Sequence, residues 1–252
     1  MRQILFSIGP FNVYGYGLAI AVGIIVAFTV AMKRAPKYGL DPDVVFNIGL
    51  FAGNFGFIGA KLLFCIVEWQ SFIQDPVSCL TGFGFVVYGG LIGGVAAGII
   101  YGRVKKYPIL KYFDLIMPSI ALAQGFGRIG CLLAGCCYGA ETDLPIGIVF
   151  HNTDLAPCGV KLFPTQICSS IGDFLIAGIL ILWAKKNKKP GNVGFLYVIL
   201  YSVGRFIIEF VRADYRGSIG FLSTSQFISI FAVVIGVVAM IVNKPEKENP
   251  PI

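Results

Sequence analysis

The chain has 252 residues, 56% of them hydrophobic and only 13% charged, with a mean hydropathy of +0.80 and a formal net charge of +7. Water-soluble domains carry about a quarter charged residues, so this composition does not belong to one. The basic excess argues against nucleic acid as a partner, because the Lys and Arg residues sit in short loops between apolar runs instead of forming a patch.

Apolar runs of about 20 residues, long enough to cross a bilayer as helices, recur along the whole chain. The predicted spans are 14–32, 44–69, 86–102, 113–133, 165–183, 192–211 and 223–242. The first 13 residues lack the apolar core and small-residue site of a cleavable signal peptide, so span one is expected to direct insertion itself. Lys33, Arg34 and Lys37 follow span one, and Arg103, Lys105, Lys106 and Lys111 follow span three. Lys185, Lys186, Lys188 and Lys189 follow span five, and Lys244 and Lys247 lie in the tail, making thirteen of the 20 basic residues. Basic loops stay cytoplasmic, which predicts an outside amino terminus and a cytoplasmic carboxyl terminus. The expected fold class is an all-α integral membrane protein of seven transmembrane helices. It forms one domain over 1–252, with 243–252 a solvated cytoplasmic tail.

Polar residues can then be placed by depth. Tyr14 and Tyr16 fall at the outer end of span one and Tyr88 at that of span three, positions where belt aromatics are common. Gly53, Gly56 and Gly59 in span two, and Gly90, Gly94, Gly98 and Gly102 in span three, make smooth faces suited to close helix packing. Lys61 and Asp173 lie about eight residues, or roughly 12 Å, from the outer boundary and are expected to pair or to snorkel. Arg205 and Glu209 share a face of span six and are suited to a structural ion pair or to chemistry. Arg212 and Arg216, just beyond that helix, read as interfacial cations or as part of the same face. The seven cysteines form no recognisable metal or redox motif, since Cys136 and Cys137 are adjacent and lack CxxC spacing. A disulfide among the outer thiols is open, with packing as the simpler reading. His151, in the long outer loop 134–164, reads as a surface residue. Neither half of the chain repeats in the other, against an inverted-repeat transporter.

Arg128 is the least ordinary residue. It stands in GFGRIGCLLAGCCYG (125–139), where Gly125, Gly127 and Gly130 bare the backbone and no acid lies within a helical turn. By insertion scales a guanidinium at the centre of a membrane helix costs about 2.5–3.5 kcal/mol, so Arg128 should face a polar cavity or hold an anion. Its planar donor fork stays charged and can bond two phosphate oxygens at once.

Six segments together resemble the prolipoprotein diacylglyceryl transferase family, in the family's order and along nearly the whole chain. They are VYGYGLAIAVG (13–23), GNFGFIGAKL (53–62), GFVVYGGLIGG (84–94), DLIMPSIALAQGFGRIGCLLAGCCYG (114–139), LFPTQ (162–166) and GRFIIEFVRADYRG (204–217). The resemblance implies a multi-pass enzyme of the bacterial cytoplasmic (inner) membrane with its active site toward the outer leaflet. It would transfer the diacylglyceryl group of phosphatidylglycerol to the lipobox cysteine thiol that follows a prolipoprotein signal peptide, releasing glycerol phosphate. No metal or organic cofactor is implied.

Carried onto this chain, the resemblance makes Arg128, Arg205, Glu209 and Tyr88 the catalytic candidates. It makes Arg128, Arg205, Tyr16, Gly139, Gln124 and Arg212 the phosphatidylglycerol-binding set. Three positions depart from the family pattern: Tyr88 and Phe163 stand where histidines occur in members, and Cys131 replaces an asparagine. These departures leave the thiol's base open. A relative with another acceptor, or a non-catalytic carrier of anionic lipids, would share the intramembrane arginines.

Overall fold

In the computed structural model, residues 4–9, 11–82, 84–151, 153, 155–187, 189–213 and 217–243 are described. A hairpin of β1 (Ile4–Ile8) and β2 (Phe11–Tyr14) leads into α1 (Gly15–Arg34). There follow α2 (Pro42–Val67), two short helices, α3 (Trp69–Gln74) and α4 (Pro76–Thr81), then α5 (Val87–Val104) and α6 (Ile109–Ala134). A small hairpin, β3 (Ile148–Val149) with β4 (Lys161–Leu162), precedes α7 (Thr165–Lys186) and α8 (Asn192–Ile208). A 3-10 turn, Glu209–Val211, prolongs α8, and the hairpin of β5 (Ser218–Ile219) and β6 (Leu222–Ser223) opens α9 (Thr224–Val242).

Among the described residues, α1, α2, α5, α6, α7, α8 and α9 are the seven helices long and apolar enough to cross a membrane. They coincide with the seven predicted runs, so the chain is helical and of integral-membrane type. The largest shift at a helix start is in α6, which begins at Ile109 instead of 113 because Pro108 opens the helix: its carbonyl accepts from Lys111 N and Tyr112 N, and its own missing N–H costs nothing there. The three hairpins are too short to give an alternating pattern and were not expected. Of the expected tail, Asn243 is described and 244–252 lies outside the described residues.

The chain divides into two compact units, residues 31–112 and residues 1–30 with 113–252. In the 31–112 unit the glycines of α2 and α5 interleave. A methyl group on Gly59 would run into the Gly89 carbonyl oxygen, and one on Gly93 into that of Phe55. The contact row is therefore Gly56 and Gly59 against Gly89, Gly90, Gly93 and Gly94. It differs from the predicted rows, for Gly53 meets nothing within 4 Å and Gly98 only Ile48, at 3.8 Å.

Lys61, 8% exposed, takes no carboxylate among the described residues. Its Nζ donates to the carbonyls of Gly82 (2.8 Å) and Gly84 (3.2 Å) and sits over the rings of Phe64 (5.1 Å) and Phe85 (4.9 Å). Carbonyl dipoles and ring faces do the work expected of Asp173.

In the other unit Ala121 of α6, Ala177, Leu180 and Ala184 of α7, and Val193 and Tyr197 of α8 form a buried core. Small residues let these helices approach: Gly125 lies beneath the Phe174 ring, and Ser170 Oγ donates to the Gly125 carbonyl at 2.9 Å. Asp114 of α6 accepts from Gly191 N (2.7 Å) and Gly194 N (2.8 Å), satisfying two N–H groups at the start of α8 that the helix itself leaves unpaired. Asn243, past the end of α9, donates to the Pro190 carbonyl (2.7 Å) and to Asn192 Oδ1 (2.9 Å). A capping box of Ser223 and Gln226 starts α9. The loop 135–164 carries its own small core of Phe150, Ala156 and Leu162, against which Leu132 and Tyr138 pack.

The glycine row generates a test. Gly59→Val should destabilise the protein by about 1–3 kcal/mol through overpacking. Gly53→Ala, whose methyl meets open space, should leave the thermal midpoint in detergent unchanged or slightly raised.

Candidate active site

The site is built first on α8, where Tyr197, Tyr201, Arg205 and Glu209 recur every four residues and so share one face. Arg205 Nη1 lies 2.7 Å from Glu209 Oε2, and Arg205 Nη2 donates to Ser225 Oγ, in the first turn of α9, at 2.9 Å. Arg212 Nε stands 3.9 Å from the same Glu209 oxygen. The three side chains are only 13%, 7% and 3% exposed for Arg205, Glu209 and Arg212, so Arg212 is an interior cation and not an interfacial one. The ion-pair reading of Arg205 and Glu209 holds.

Arg128, on α6, lies within electrostatic range of Arg205, Tyr201 and Asp173, and Tyr16 lies within range of Arg128. Asp173 is buried, and its Oδ2 accepts no hydrogen bond among the described residues. Among the described residues this group holds three guanidiniums, Arg128, Arg205 and Arg212, and two carboxylates, Glu209 and Asp173. Gln124, one turn before Arg128, accepts from Tyr197 Oη at 2.8 Å, which fixes the side chain on the Arg128 side of α6. Gly130 lets the start of α1 close on α6: a methyl there would fall 3.2 Å from both Tyr16 Cδ2 and the Tyr16 carbonyl oxygen.

Gly139 works through its backbone. Its N–H donates to the Phe163 carbonyl (3.0 Å), Phe163 N donates to Ala140 O (2.9 Å), and Ala140 N donates to Val211 O (2.9 Å). Gly139 and Arg212 are paired as a bridge. Three loops are thus laced at the end of the bundle where Arg205 and Arg212 emerge, and Phe163 contributes main chain where a family histidine would contribute a ring. A methyl on Gly139 would lie 2.7 Å from the carbonyl oxygens of both Phe163 and Val211.

Seven of the eight predicted site residues, Tyr16, Gln124, Arg128, Gly139, Arg205, Glu209 and Arg212, therefore belong to one unit and are tied by these contacts. Tyr88, in the first turn of α5, belongs to the 31–112 unit and is 44% exposed. Arg216 lies outside the described residues, and His151 is exposed as expected. Tyr201 and Ser225 were not anticipated. The four-residue recurrence of polar side chains along 197–209 was the available signal for Tyr201, whereas Ser225 is recognisable only once α9 is packed. No disulfide joins any of the seven cysteines, all of which are described. The thiols of Cys131, Cys136 and Cys137 lie within 4.8 Å of one another, and hydrogen bonding to Cys131 and Cys137 pushes the Cys136 thiol above its ordinary range.

Seven helices long and apolar enough to cross a membrane, and a cluster of guanidiniums within the unit of residues 1–30 and 113–252, define a multi-pass membrane protein with polar residues inside that unit. The sequence model of the family described as prolipoprotein diacylglyceryl transferase matches residues 3–242. The chain is 47% identical over 249 residues to the phosphatidylglycerol–prolipoprotein diacylglyceryl transferase of Clostridium tetani (strain Massachusetts / E88), covering 98% of this chain and 100% of that one. It is 47% identical over 246 residues to the second such transferase of Clostridium perfringens (strain 13 / Type A), covering 97% and 96%. Against that of Clostridioides difficile (strain 630) it is 35% identical over 252 residues, covering 99% and 98%. The chain belongs to the prolipoprotein diacylglyceryl transferase family.

The lacing around Gly139 sets the next expectation. Gly139→Ala should lower stability by roughly 1–3 kcal/mol through the two carbonyl clashes. Thermal unfolding in detergent, beside Gly172→Ala, whose methyl meets nothing within 4 Å, measures it.

Proposed function

We propose that this chain transfers the diacylglyceryl group of phosphatidylglycerol to the lipobox cysteine of prolipoproteins, the first step of lipoprotein maturation. As a family member it is a transferase of lipoprotein biosynthesis. The observation that carries the chemistry is the gathering of three guanidiniums, Arg205 and Arg212 on the Glu209 carboxylate and Arg128 within electrostatic range of Arg205. Such a group of fixed donors suits the single negative charge of a phosphodiester.

In the reaction the thiol sulfur forms a bond to the glyceryl carbon, and the bond from that carbon to the phosphate oxygen breaks. The thiol proton ends on solvent or on the departing glycerol phosphate. Charge grows on the leaving phosphate, and preorganised guanidiniums in a dry site lower the barrier for that step. Arg128 and Arg205 take the phosphate oxygens, with Arg212 adding to the field. Glu209 holds Arg205 in orientation, and Tyr16, Gln124 and Gly139 shape the head-group pocket. Thiols are a few per cent ionised at pH 7, so the demand on a base is modest. Tyr88, Glu209 and the lipid phosphate are the groups proposed to receive the proton, in place of the family's histidines. No cofactor is required for this displacement.

The placement of basic loops supports an outside amino terminus, a cytoplasmic carboxyl terminus and an active site toward the outer leaflet of the bacterial cytoplasmic (inner) membrane. Phosphatidylglycerol, a membrane lipid, and the signal peptide of the precursor are the proposed partners. Nucleic acid is not one of them.

The test is transfer of labelled phosphatidylglycerol to lipobox peptides carrying cysteine or serine, with purified protein. Lipidation of the cysteine peptide alone, lost in Arg128→Ala, is expected. Uptake of lipid without transfer, or release of glycerol phosphate with no lipidated peptide, would overturn the proposal. Arg205→Lys should reduce the rate by about two orders of magnitude or more, the loss seen when a preorganised donor is removed, because an ammonium lacks the planar fork. Tyr88→Phe and Glu209→Gln, assayed side by side, separate the candidate proton acceptors.

A further inference from the structure

At the carboxyl end of α6 the chain turns back on itself and gathers three sulfur atoms. Cys131 lies on the last turn of the helix, three residues after Arg128. Gly135 (φ 76°) and Cys137 (φ 61°) both adopt the left-handed conformation, and Cys136 N donates to the Cys131 carbonyl at 3.1 Å. The reversal brings the adjacent pair Cys136–Cys137 over Cys131, with all three Sγ atoms within 4.8 Å. A left-handed conformation is uncommon for a residue with a side chain and costs of order 1 kcal/mol, so it persists where the surroundings over-determine it.

The surroundings do so from α7. Gln166 Nε2 donates to the Cys136 carbonyl at 2.8 Å and Thr165 Oγ1 to the Cys137 carbonyl. Both donors are 1% exposed. Two buried side chains thus fix the peptide planes that aim two thiols at the third. Ordinary packing of small apolar side chains would not require that.

We infer that Cys131, Cys136 and Cys137 form a three-thiolate site for a soft or borderline divalent cation of the zinc class. Around zinc, with bonds of about 2.3 Å, sulfur ligands lie about 3.8–4.0 Å apart, so the observed trio must contract by no more than about 1 Å. Thiolate ligands select this class of ion over magnesium or calcium. Three thiolates and a divalent ion carry one net negative charge, and the Arg128 guanidinium lies within electrostatic range of Cys131 and Cys137. Water remains for the fourth position. The bound ion clips the last turn of α6 to the following loop. The inference concerns metal binding, at a site that neighbours Arg128 of the proposed head-group pocket.

The full chain is purified in detergent under reducing conditions, stripped with a chelator, and titrated with cadmium while thiolate-to-metal charge-transfer absorbance is followed. Two variants accompany it: Cys136→Ser, and a chain in which Cys65, Cys79, Cys158 and Cys168 are replaced by serine. A single ion per chain is expected in the wild type and in the four-serine chain, displaced by zinc and lost in Cys136→Ser. Zinc should also raise the thermal midpoint of the wild type and leave that of Cys136→Ser unmoved. Equal cadmium absorbance in the wild type and Cys136→Ser overturns the proposal. So does a disulfide among the three cysteines under conditions that keep Cys158 reduced, found by peptide mapping. Should the four-serine chain fail to fold, the wild-type and Cys136→Ser titrations decide alone. Both readouts are independent of transferase activity, so a failed transfer assay leaves them intact.

Discussion

The unit of residues 1–30 and 113–252 is organised around guanidinium groups that hydrocarbon cannot solvate. A charged arginine within a membrane helix is tolerated where dipoles and counter-charges replace its water. Arg205 has the Glu209 carboxylate on one nitrogen and the Ser225 hydroxyl on another. This ties α8 to α9 at the end where Arg212 also turns inward. Arg128 joins the group from a separate helix, with Tyr201 within range of both arginines. The lacing of 138–140 with 163 and 211 closes the same region with backbone hydrogen bonds, and Gly139 is needed there because two carbonyl oxygens occupy the space of a side chain.

The two units meet the demands of lipid differently. Between α2 and α5 there is little hydrophobic gain to be had, since lipid tails are as apolar as leucine, and association depends on close backbone approach. Interleaved glycines supply it. Within the unit of 113–252, polar hydrogen bonds between helices are more frequent: Ser170 to Gly125, Tyr197 to Gln124, and Asp114 to the start of α8. Such bonds cost nothing in register freedom that the site does not already require, because each fixes a helix carrying one of its residues.

Much of this was legible in the sequence for simple reasons. Span existence follows from run length, and the isolation of Arg128 from any acid within a turn marks it as unusual whatever the fold. Of the expected glycine rows Gly56, Gly59, Gly90 and Gly94 do lie in the contact, whereas Gly89 and Gly93 join it from the neighbouring face, since a four-residue recurrence marks one edge of a seam and only the partner helix shows its width. Pairing with Asp173 or snorkelling is the expectation for Lys61, yet carbonyls and rings serve a cation equally well, and neither leaves a mark at fixed spacing. The thiol trio was invisible for a similar reason. Cys131 ends a helix while Cys136 and Cys137 follow a reversal, so their proximity depends on two left-handed residues and not on a motif. Tyr201 was there to be read, in the polar stripe 197–209.

The paired asparagines at the far end of α8 complete a frame. Asn243 grips Pro190 and Asn192 where α8 begins, while Arg205 grips Ser225 where α9 begins, so this antiparallel couple is bolted at both extremities. Gly236 against Ile199 keeps its middle closed as well. A double-bolted couple resists splaying, so the seam between α8 and α9 is held shut along its length.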